Sequence, residues 1–160
     1  MTIRVGMGYD VHQLQQGRPL ILGGVNISWE QGLAGHSDAD VLLHAIMDAL
    51  LGAAALGDIG MHFPPGDSRF ANISSLILLE RVGELIQENG FVIFNVDSTI
   101  VAQRPRLTPH IKDMRLNIAR ILKLSRELVS VKATTTEHLG FAGREEGIGA
   151  YAVTLISKGG

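Results

Sequence analysis

Phe91-Val92-Ile93-Phe94-Asn95-Val96-Asp97-Ser98-Thr99-Ile100-Val101-Ala102-Gln103 carries the clearest strand signal in the chain. It is rich in β-branched and aromatic residues. Its alternation predicts one face with Val92, Phe94, Val96 and Ile100 and another with Asn95, Asp97 and Thr99. Arg104-Pro105 ends the run, because proline brings no N–H to a ladder. Thr108-Pro109 then predicts a helix start, threonine as N-cap and proline at N1, with the helix continuing to about Leu124. Val129 to Thr135 reads as the next strand.

Toward the N-terminus, Ser74 to Glu88 predicts a helix stopped by Asn89-Gly90. Val41, Leu42, Ala45, Ile46, Ala49, Leu50 and Ala53 recur at helical spacing. Ser37 is the predicted N-cap of that helix, with Asp38 and Asp40 in its first turn and an end near Leu56-Gly57. Ile3 to Asp10 reads as a strand, and Pro19 to Ile27 as two short strands about Gly23-Gly24. Toward the C-terminus, a glycine-rich stretch from Glu137 to Gly147 leads to a last strand, Ile148 to Ser157. The expectation is an α+β fold: a mixed sheet of four to five main strands with three helices on one face. The other face would carry Asn95, Asp97, Thr99, Lys132 and Thr134, too polar for a second core, and meet solvent or a partner subunit. No repeat or linker divides the chain, so residues 1–160 are expected to form a single domain.

The 160 residues include no cysteine, which excludes disulfides, thiolate metal sites and cysteine nucleophiles. Fourteen lysines and arginines against 16 acids leave a charge of -2, which argues against a nucleic-acid groove or polybasic membrane patch. A bound phosphate would need backbone amides, a few cations or metal ions. The N-terminal residues lack the apolar segment of a signal peptide, and Ala49 to Leu56 is far short of the ~20 residues that span a bilayer. The expected location is the cytoplasm.

Asp10 and His12 stand two apart in an extended segment, so their side chains point the same way and can share one ion. His44 lies on the predicted helix between Asp40 and Asp48, four residues from each. A flanking acid there could orient the ring toward a metal. One aspartate and two histidines leave coordination open, as a catalytic zinc site does, and they equally fit a non-haem iron triad. His36-Ser37, just before the helix, could receive an anion or merely cap. Lys132-Ala133-Thr134-Thr135-Thr136-Glu137 offers a cation, three hydroxyls and a carboxylate, a phosphate cradle with room for a divalent ion, although threonines also suit strands. The loop Ala102 to Thr108 could hold a nucleobase or a phosphate. Gly57-Asp58-Ile59-Gly60 and His62-Phe63-Pro64 form a second shaped loop.

Gly8-Tyr9-Asp10-Val11-His12, Gly35-His36-Ser37-Asp38-Ala39-Asp40-Val41-Leu42-Leu43-His44, Gly57-Asp58-Ile59-Gly60 and Lys132-Ala133-Thr134-Thr135-Thr136-Glu137 follow one another in this order. Together they resemble the 2-C-methyl-D-erythritol 2,4-cyclodiphosphate synthases of the non-mevalonate isoprenoid pathway. The likeness runs from Arg4 to the last strand. It implies a phosphorus–oxygen lyase in which the substrate's own 2-phosphate attacks its cytidine diphosphate, releasing CMP. It implies Zn2+ on Asp10, His12 and His44, and Mg2+ or Mn2+ bridging the substrate diphosphate and touching Glu137. His36 and Thr135 would stabilise developing charge.

The resemblance further implies substrate contacts from Ser37, Asp58, Gly60, Phe63, Asp67 and Lys132. Phosphates would lie against Thr134, Thr135, Thr136 and Glu137. Cytosine would sit on Ala102, Pro105, Arg106, Leu107 and Thr108 of an adjacent subunit, because the family forms homotrimers with interfacial sites. Phe141 and Arg144 match positions at a central cavity that can hold an isoprenoid diphosphate. One departure stands out: relatives usually continue Asp-Thr-Asp after Phe63-Pro64, and this chain has Pro65-Gly66-Asp67. A metal-dependent phosphohydrolase using the same Asp-His-His ion is the rival reading.

Overall fold

The computed structural model describes residues 1–159. Its first strand, β1, runs unbroken from Thr2 to Gln16, well past the predicted end at Asp10. Two partners explain the extension. Residues Thr2 to Gln13 pair antiparallel with the last strand, and Leu14 to Gln16 pair with a short strand, Gln31–Leu33. Between them the chain makes the predicted pair of short strands, β2 (Leu20–Leu22) and β3 (Val25–Ile27), turning at Gly23-Gly24. Gln31–Leu33 is β4. There follow helices α1 (Val41–Ala53), α2 (Ile59–His62) and α3 (Ser75–Glu88), then β5 (Phe91–Val101) and α4 (Ile111–Leu122). Strand β6 (Val129–Thr134), the single turn α5 (Gly140–Gly143) and β7 (Gly147–Lys158) complete the chain.

The five main strands lie in the order β4-β1-β7-β5-β6. Only β5 and β6 run parallel, joined by α4 as a parallel pair requires, so the sheet is mixed as expected. Helices α1, α3 and α4 cover one face. Within α1 only Asp48 and Gly52 escape burial, because the helix is pressed between the sheet and α3. Side chains such as Leu42, Ile46 and Leu50 are fully buried there, each worth ~1.5–3 kcal/mol of transfer free energy.

Three local expectations fail for identifiable reasons. In β5 the register with β7 shifts between Ile93 and Asn95. A bulge of this kind reverses the side-chain parity, so Phe91, Ile93, Val96, Ser98 and Ile100 are buried while Val92 and Phe94 point outward. Helix α1 is capped by Asp40, whose carboxylate accepts from the Leu43 N–H at 3.1 Å, and not by Ser37. Ala39 has φ 58°, which no helix can pass through, so Ser37 and Asp38 lie outside it. Thr108 caps nothing either: Thr108–His110 is a 3₁₀ turn, and α4 begins at Ile111 and stops at Leu122, where Lys123 takes a left-handed conformation.

The open face of the sheet is also not the polar surface predicted. Asp97, Thr99 and Lys132 do lie toward its β6 side, with Lys132 Nζ 2.6 Å from Asp97 Oδ1. The rest is apolar: Ile3, Val5, Met7, Tyr9 and Val11 from β1, Val92 and Phe94 from β5, Tyr151 and Val153 from β7 are all exposed. The cause is an inversion in β1, whose helix-facing positions include Gly6 and Gly8. A Cβ on either would stand 1.9 Å from a carbonyl oxygen of α1, Ala49 for Gly6 and Ala45 for Gly8. Strand and helix backbones therefore meet almost directly, and the large side chains of β1 occupy the other side. Alternation alone cannot say which face looks inward.

Candidate metal centre and its cavities

Beyond Gly8 the same inward face of β1 presents Asp10 and His12, and α1 presents His44 above them. The close strand–helix contact brings the three together. Asp10 Oδ2 lies 3.0 Å from His12 Nε2 and 3.0 Å from His44 Nδ1, and the two ring nitrogens are 3.1 Å apart. His12 Nδ1 is 2.7 Å from the Ala34 carbonyl, which can only accept, so this nitrogen carries the proton and Nε2 offers a lone pair. Burial opposes ionisation of Asp10, but the two imidazoles beside it hold its carboxyl well below the usual range. Burial likewise opposes charge on His12, and the hydrogen bond and charge of Asp10 still raise its pKa. The cluster attracts positive charge.

A divalent ion suits it. About a tetrahedral ion with ~2.0–2.1 Å bonds, ligand atoms stand ~3.3–3.4 Å apart, a few tenths of an ångström wider than this triangle. The donor set of one carboxylate and two imidazoles is that of a nitrogen- and oxygen-binding transition metal, and three protein ligands leave a position for substrate.

The acids flanking His44 along the helix do not orient it, contrary to expectation. Asp40 is fully buried and accepts from the N–H groups of Gly23 (3.0 Å), Gly24 (2.7 Å) and Leu43. Burial pushes its pKa up to about 6 against those three bonds. Asp48 accepts from Ile59 N–H at 2.8 Å and so anchors the loop before α2. The partners of His44 Nε2 are instead Ser75 Oγ (3.1 Å) and Ser37 Oγ (3.3 Å), and Ser75 Oγ lies 2.5 Å from Asp38 Oδ1. Asp38 and Ser75 escaped the sequence reading because they come together only when α3 docks on α1.

The triad opens into a cavity of about 290 Å³, lined also by His36, Ser37, Gly60 and Phe63, all predicted, and by Pro65. His36 Nε2 donates to the Asp67 carbonyl at 2.8 Å, which fixes its ring at the rim. Two predicted contact residues are engaged elsewhere. Asp58 caps α2 through Met61 N–H. Asp67 pairs with Arg69 at 2.7 Å, and that hydrogen bond holds its carboxyl down to about 2.

A second cavity, of about 440 Å³, joins Ala102, Pro105, Arg106, Leu107 and Thr108 to Thr134 and Thr135. Its unpredicted wall is Trp29, with the Arg104 guanidinium 5.6 Å over the indole and bound to Glu145 at 2.5 and 2.8 Å. Thr135 Oγ1 donates to Glu137 Oε1 at 3.3 Å. Glu137 lies outside the Asp10-His12-His44 cluster, and Thr135 lines a different cavity from His36. Lys132 faces Asp97 on the open sheet face. Thr136 and Phe141 belong to a third cavity of about 190 Å³ beside Tyr9 and Tyr151, and Arg144 pairs with Glu146 at 2.9 Å. One chain thus spreads most of the predicted site residues over three cavities, with Asp58, Asp67, Lys132, Glu137 and Arg144 lining none of the three.

The sequence matches the YgbB family over residues 3–157. A 2-C-methyl-D-erythritol 2,4-cyclodiphosphate synthase of Syntrophomonas wolfei is 67% identical over 156 residues, 98% of this chain and 99% of that protein. The enzyme of that name from Clostridium kluyveri is 62% identical over 154 residues, covering 96% of this chain and 94% of its own. Among solved structures, the bifunctional IspDF of Campylobacter jejuni superposes with a TM-score of 0.95 at 44% identity, over 99% of this chain and 43% of that one. The Plasmodium falciparum IspF CDP complex does so with 0.86 at 34% identity, over 99% and 97%.

Proposed function

The chain belongs to the YgbB family, and from that premise we propose that it cyclises 4-diphosphocytidyl-2-C-methyl-D-erythritol 2-phosphate to 2-C-methyl-D-erythritol 2,4-cyclodiphosphate, releasing CMP. It is then a phosphorus–oxygen lyase of the non-mevalonate isoprenoid pathway. The Asp10-His12-His44 triangle carries the reading. Nucleophile and leaving group both belong to the substrate, so the protein's task is to align them and to neutralise charge.

We assign Zn2+ to the triad, where it would polarise a phosphate oxygen and draw the 2-phosphate and the diphosphate together. Asp10 supplies the negative charge that holds it, and the Ala34 carbonyl keeps the His12 Nε2 lone pair directed at it. His36 and Thr135 donate to the charge that develops, Ser37, Gly60 and Phe63 shape the space about the methylerythritol, and Asp58 meets its hydroxyls. Ala102 to Thr108 seat the cytosine, and Thr134 to Glu137 hold the phosphates, with Mg2+ or Mn2+ at Glu137. Lys132 and Asp67 belong to this assignment only if substrate releases them from Asp97 and Arg69.

Since the two cavities lie apart in one chain, a complete site needs the second cavity of another copy. We therefore read the protein as a homotrimer whose open sheet faces meet at the axis. The support is the exposed apolar surface that β1, β5 and β7 share on one face, of the kind that marks an interface. Tyr9, Phe141 and Tyr151 would then border an axial cavity, near Arg144, suited to an isoprenoid diphosphate. We place the enzyme in the cytoplasm as one domain; no helix among the described residues is long and apolar enough to cross a membrane.

Incubation with the cytidine substrate and Mg2+ tests the reading. CMP with the cyclic diphosphate supports it. A ring-opened phosphate would favour the phosphohydrolase, which the triad's completeness within one chain permits. Absence of any product would leave a trimeric binding protein. Light scattering should give about three chain masses.

A further inference from the structure

Two rings face the triad, and only one of them is held by backbone. His12 is fixed by the Ala34 carbonyl, but His44 projects from the middle of α1 with no carbonyl against its Nε2. What meets it is a hydroxyl: Ser75 Oγ at 3.1 Å, fully buried at the first residue of α3. A hydroxyl can donate or accept, so by itself it fixes no tautomer. The Asp38 carboxylate removes that freedom. Its Oδ1 is 2.5 Å from Ser75 Oγ, and a carboxylate only accepts, so the single Ser75 proton is committed to it. Asp38 is held in turn by Asp40 N–H on Oδ1 (3.1 Å) and Ser75 N–H on Oδ2 (2.9 Å). Ser75 Oγ is left as an acceptor, and the proton it accepts must sit on His44 Nε2.

We propose that Asp38, acting through Ser75, is a positioning residue that keeps His44 protonated on Nε2 and so directs its Nδ1 lone pair at Asp10 and His12. This deepens the metal assignment above and rests on it, because without an ion the Asp10 carboxylate, 3.0 Å from His44 Nδ1, would draw a proton there. Ser37 Oγ, which accepts from Ala39 N–H, stands farther from Nε2 at 3.3 Å and keeps a second lone pair for the same proton. The alternative is a merely structural Asp38, closing the N-terminus of α3 where the Ser74 side chain makes no capping bond. Two substitutions separate these roles. Ser75→Ala removes the hydroxyl but leaves the Asp38 carboxylate on Ser75 N–H. Asp38→Asn allows its amide to donate to Ser75 Oγ, which turns that hydroxyl toward His44 Nε2 and drives the ring proton onto Nδ1, where the metal should be.

The experiment uses the full chain in wild-type, Ser75→Ala and Asp38→Asn forms. Zinc-loaded protein is titrated with a competing chelator, and imidazole 15N shifts are read in the same zinc-loaded protein. In the wild type His44 should show a protonated Nε2 and a metal-bound Nδ1. Ser75→Ala should give a ten- to hundredfold loss of zinc affinity, as expected when a group orienting a metal-binding histidine is removed. Its metal-free melting temperature should stay close to wild type. Asp38→Asn should lose at least as much zinc affinity; if it fails to fold, Ser75→Ala still decides. A zinc-loaded wild type with His44 protonated on Nδ1, or a Ser75→Ala protein that holds zinc within twofold of wild type, overturns the proposal. A wild type that binds no zinc would instead defeat the metal assignment, and with it this role for Asp38.

Discussion

Asp10, His12 and His44 project from the interior of a long strand and a central helix, whereas Ala102–Thr108 and Thr134–Glu137 lie where β5 and β6 end. The first group is half-buried or buried, and its ring nitrogens are held by a carbonyl and by hydroxyls. In the second group Thr134, Thr135 and Glu137 are largely solvated, Thr135 turns to Glu137, and nearby Arg104 turns to Glu145. A metal needs ligands placed within tenths of an ångström, and only packed elements supply that. A nucleotide can be met by loops that re-pair on binding. The difference teaches that the chain builds its two ends to different tolerances.

The sharpest way to break this contrast is His44→Ala. Zinc should fall to a small fraction of one per chain and turnover by a thousandfold or more, ~4 kcal/mol of barrier, with the fold retained by circular dichroism. Full zinc by elemental analysis would remove the site. Next comes Glu137→Gln, which should keep zinc and lose turnover about a hundredfold, ~3 kcal/mol, with part recovered as Mg2+ or Mn2+ is raised. Unchanged turnover at limiting magnesium would show that Glu137 is no metal ligand. Mixing the two inactive proteins by co-refolding sharpens the comparison further. If each site joins the metal end of one copy to the nucleotide end of another, about a quarter of sites regain both intact halves in a random trimer. No recovery would mean that each chain completes its own site.

A smaller effect is expected in stability against pH. Asp40 has a folded pKa of about 6 against ~3.9 for a free aspartate, so between these values the folded form holds a proton that the unfolded chain has lost. Stability contributed at this residue therefore rises as pH falls from about 6 to 4, by up to ~3 kcal/mol, and the ionised form above pH 6 bears that cost. Asp40→Asn lacks the titration. The stability gap between the metal-free proteins, measured by urea unfolding, should change across that window in favour of the wild type at low pH. A gap independent of pH would place Asp40 in contact with solvent. The smallest effect is expected of Asp67→Asn, whose carboxylate serves Arg69 and lines neither large cavity. Turnover should change less than twofold, and a tenfold loss would bring this residue into the site.

The sequence made legible whatever depends on spacing along the chain. Asp10-Val11-His12 announced a shared face, the helically spaced run after Asp40 announced α1, and ligand chemistry joined His44 to them. The cradle Thr134–Glu137 and the loop Ala102–Thr108 were also readable, and they do line or adjoin one cavity. What stayed hidden needed the third dimension. The bulge at Ile93/Asn95 reverses which residues of β5 are buried, and no local pattern reports an extra residue. The inward turn of Gly6 and Gly8 put the large side chains of β1 on the open face, where a polar surface was expected. Asp38 and Ser75 stand far apart in sequence and meet only through helix docking, while Asp40, nearer His44 in the helical pattern, turned out to serve the Gly23-Gly24 turn.

Gly6 and Gly8 have no chemistry of their own, yet they set the distance at which β1 lies under α1, and with it the size of the gap that Asp10, His12 and His44 enclose. An alanine at position 8 would ride up on the Ala45 carbonyl and lift the strand, spreading the ligand triangle while every ligand remained in place. Screens for folding and screens for metal retention would therefore rank variants at these two positions differently. For anyone redesigning the enzyme, the strand–helix contact is the dial that selects the radius of the ion, and it can be turned from residues that never touch it.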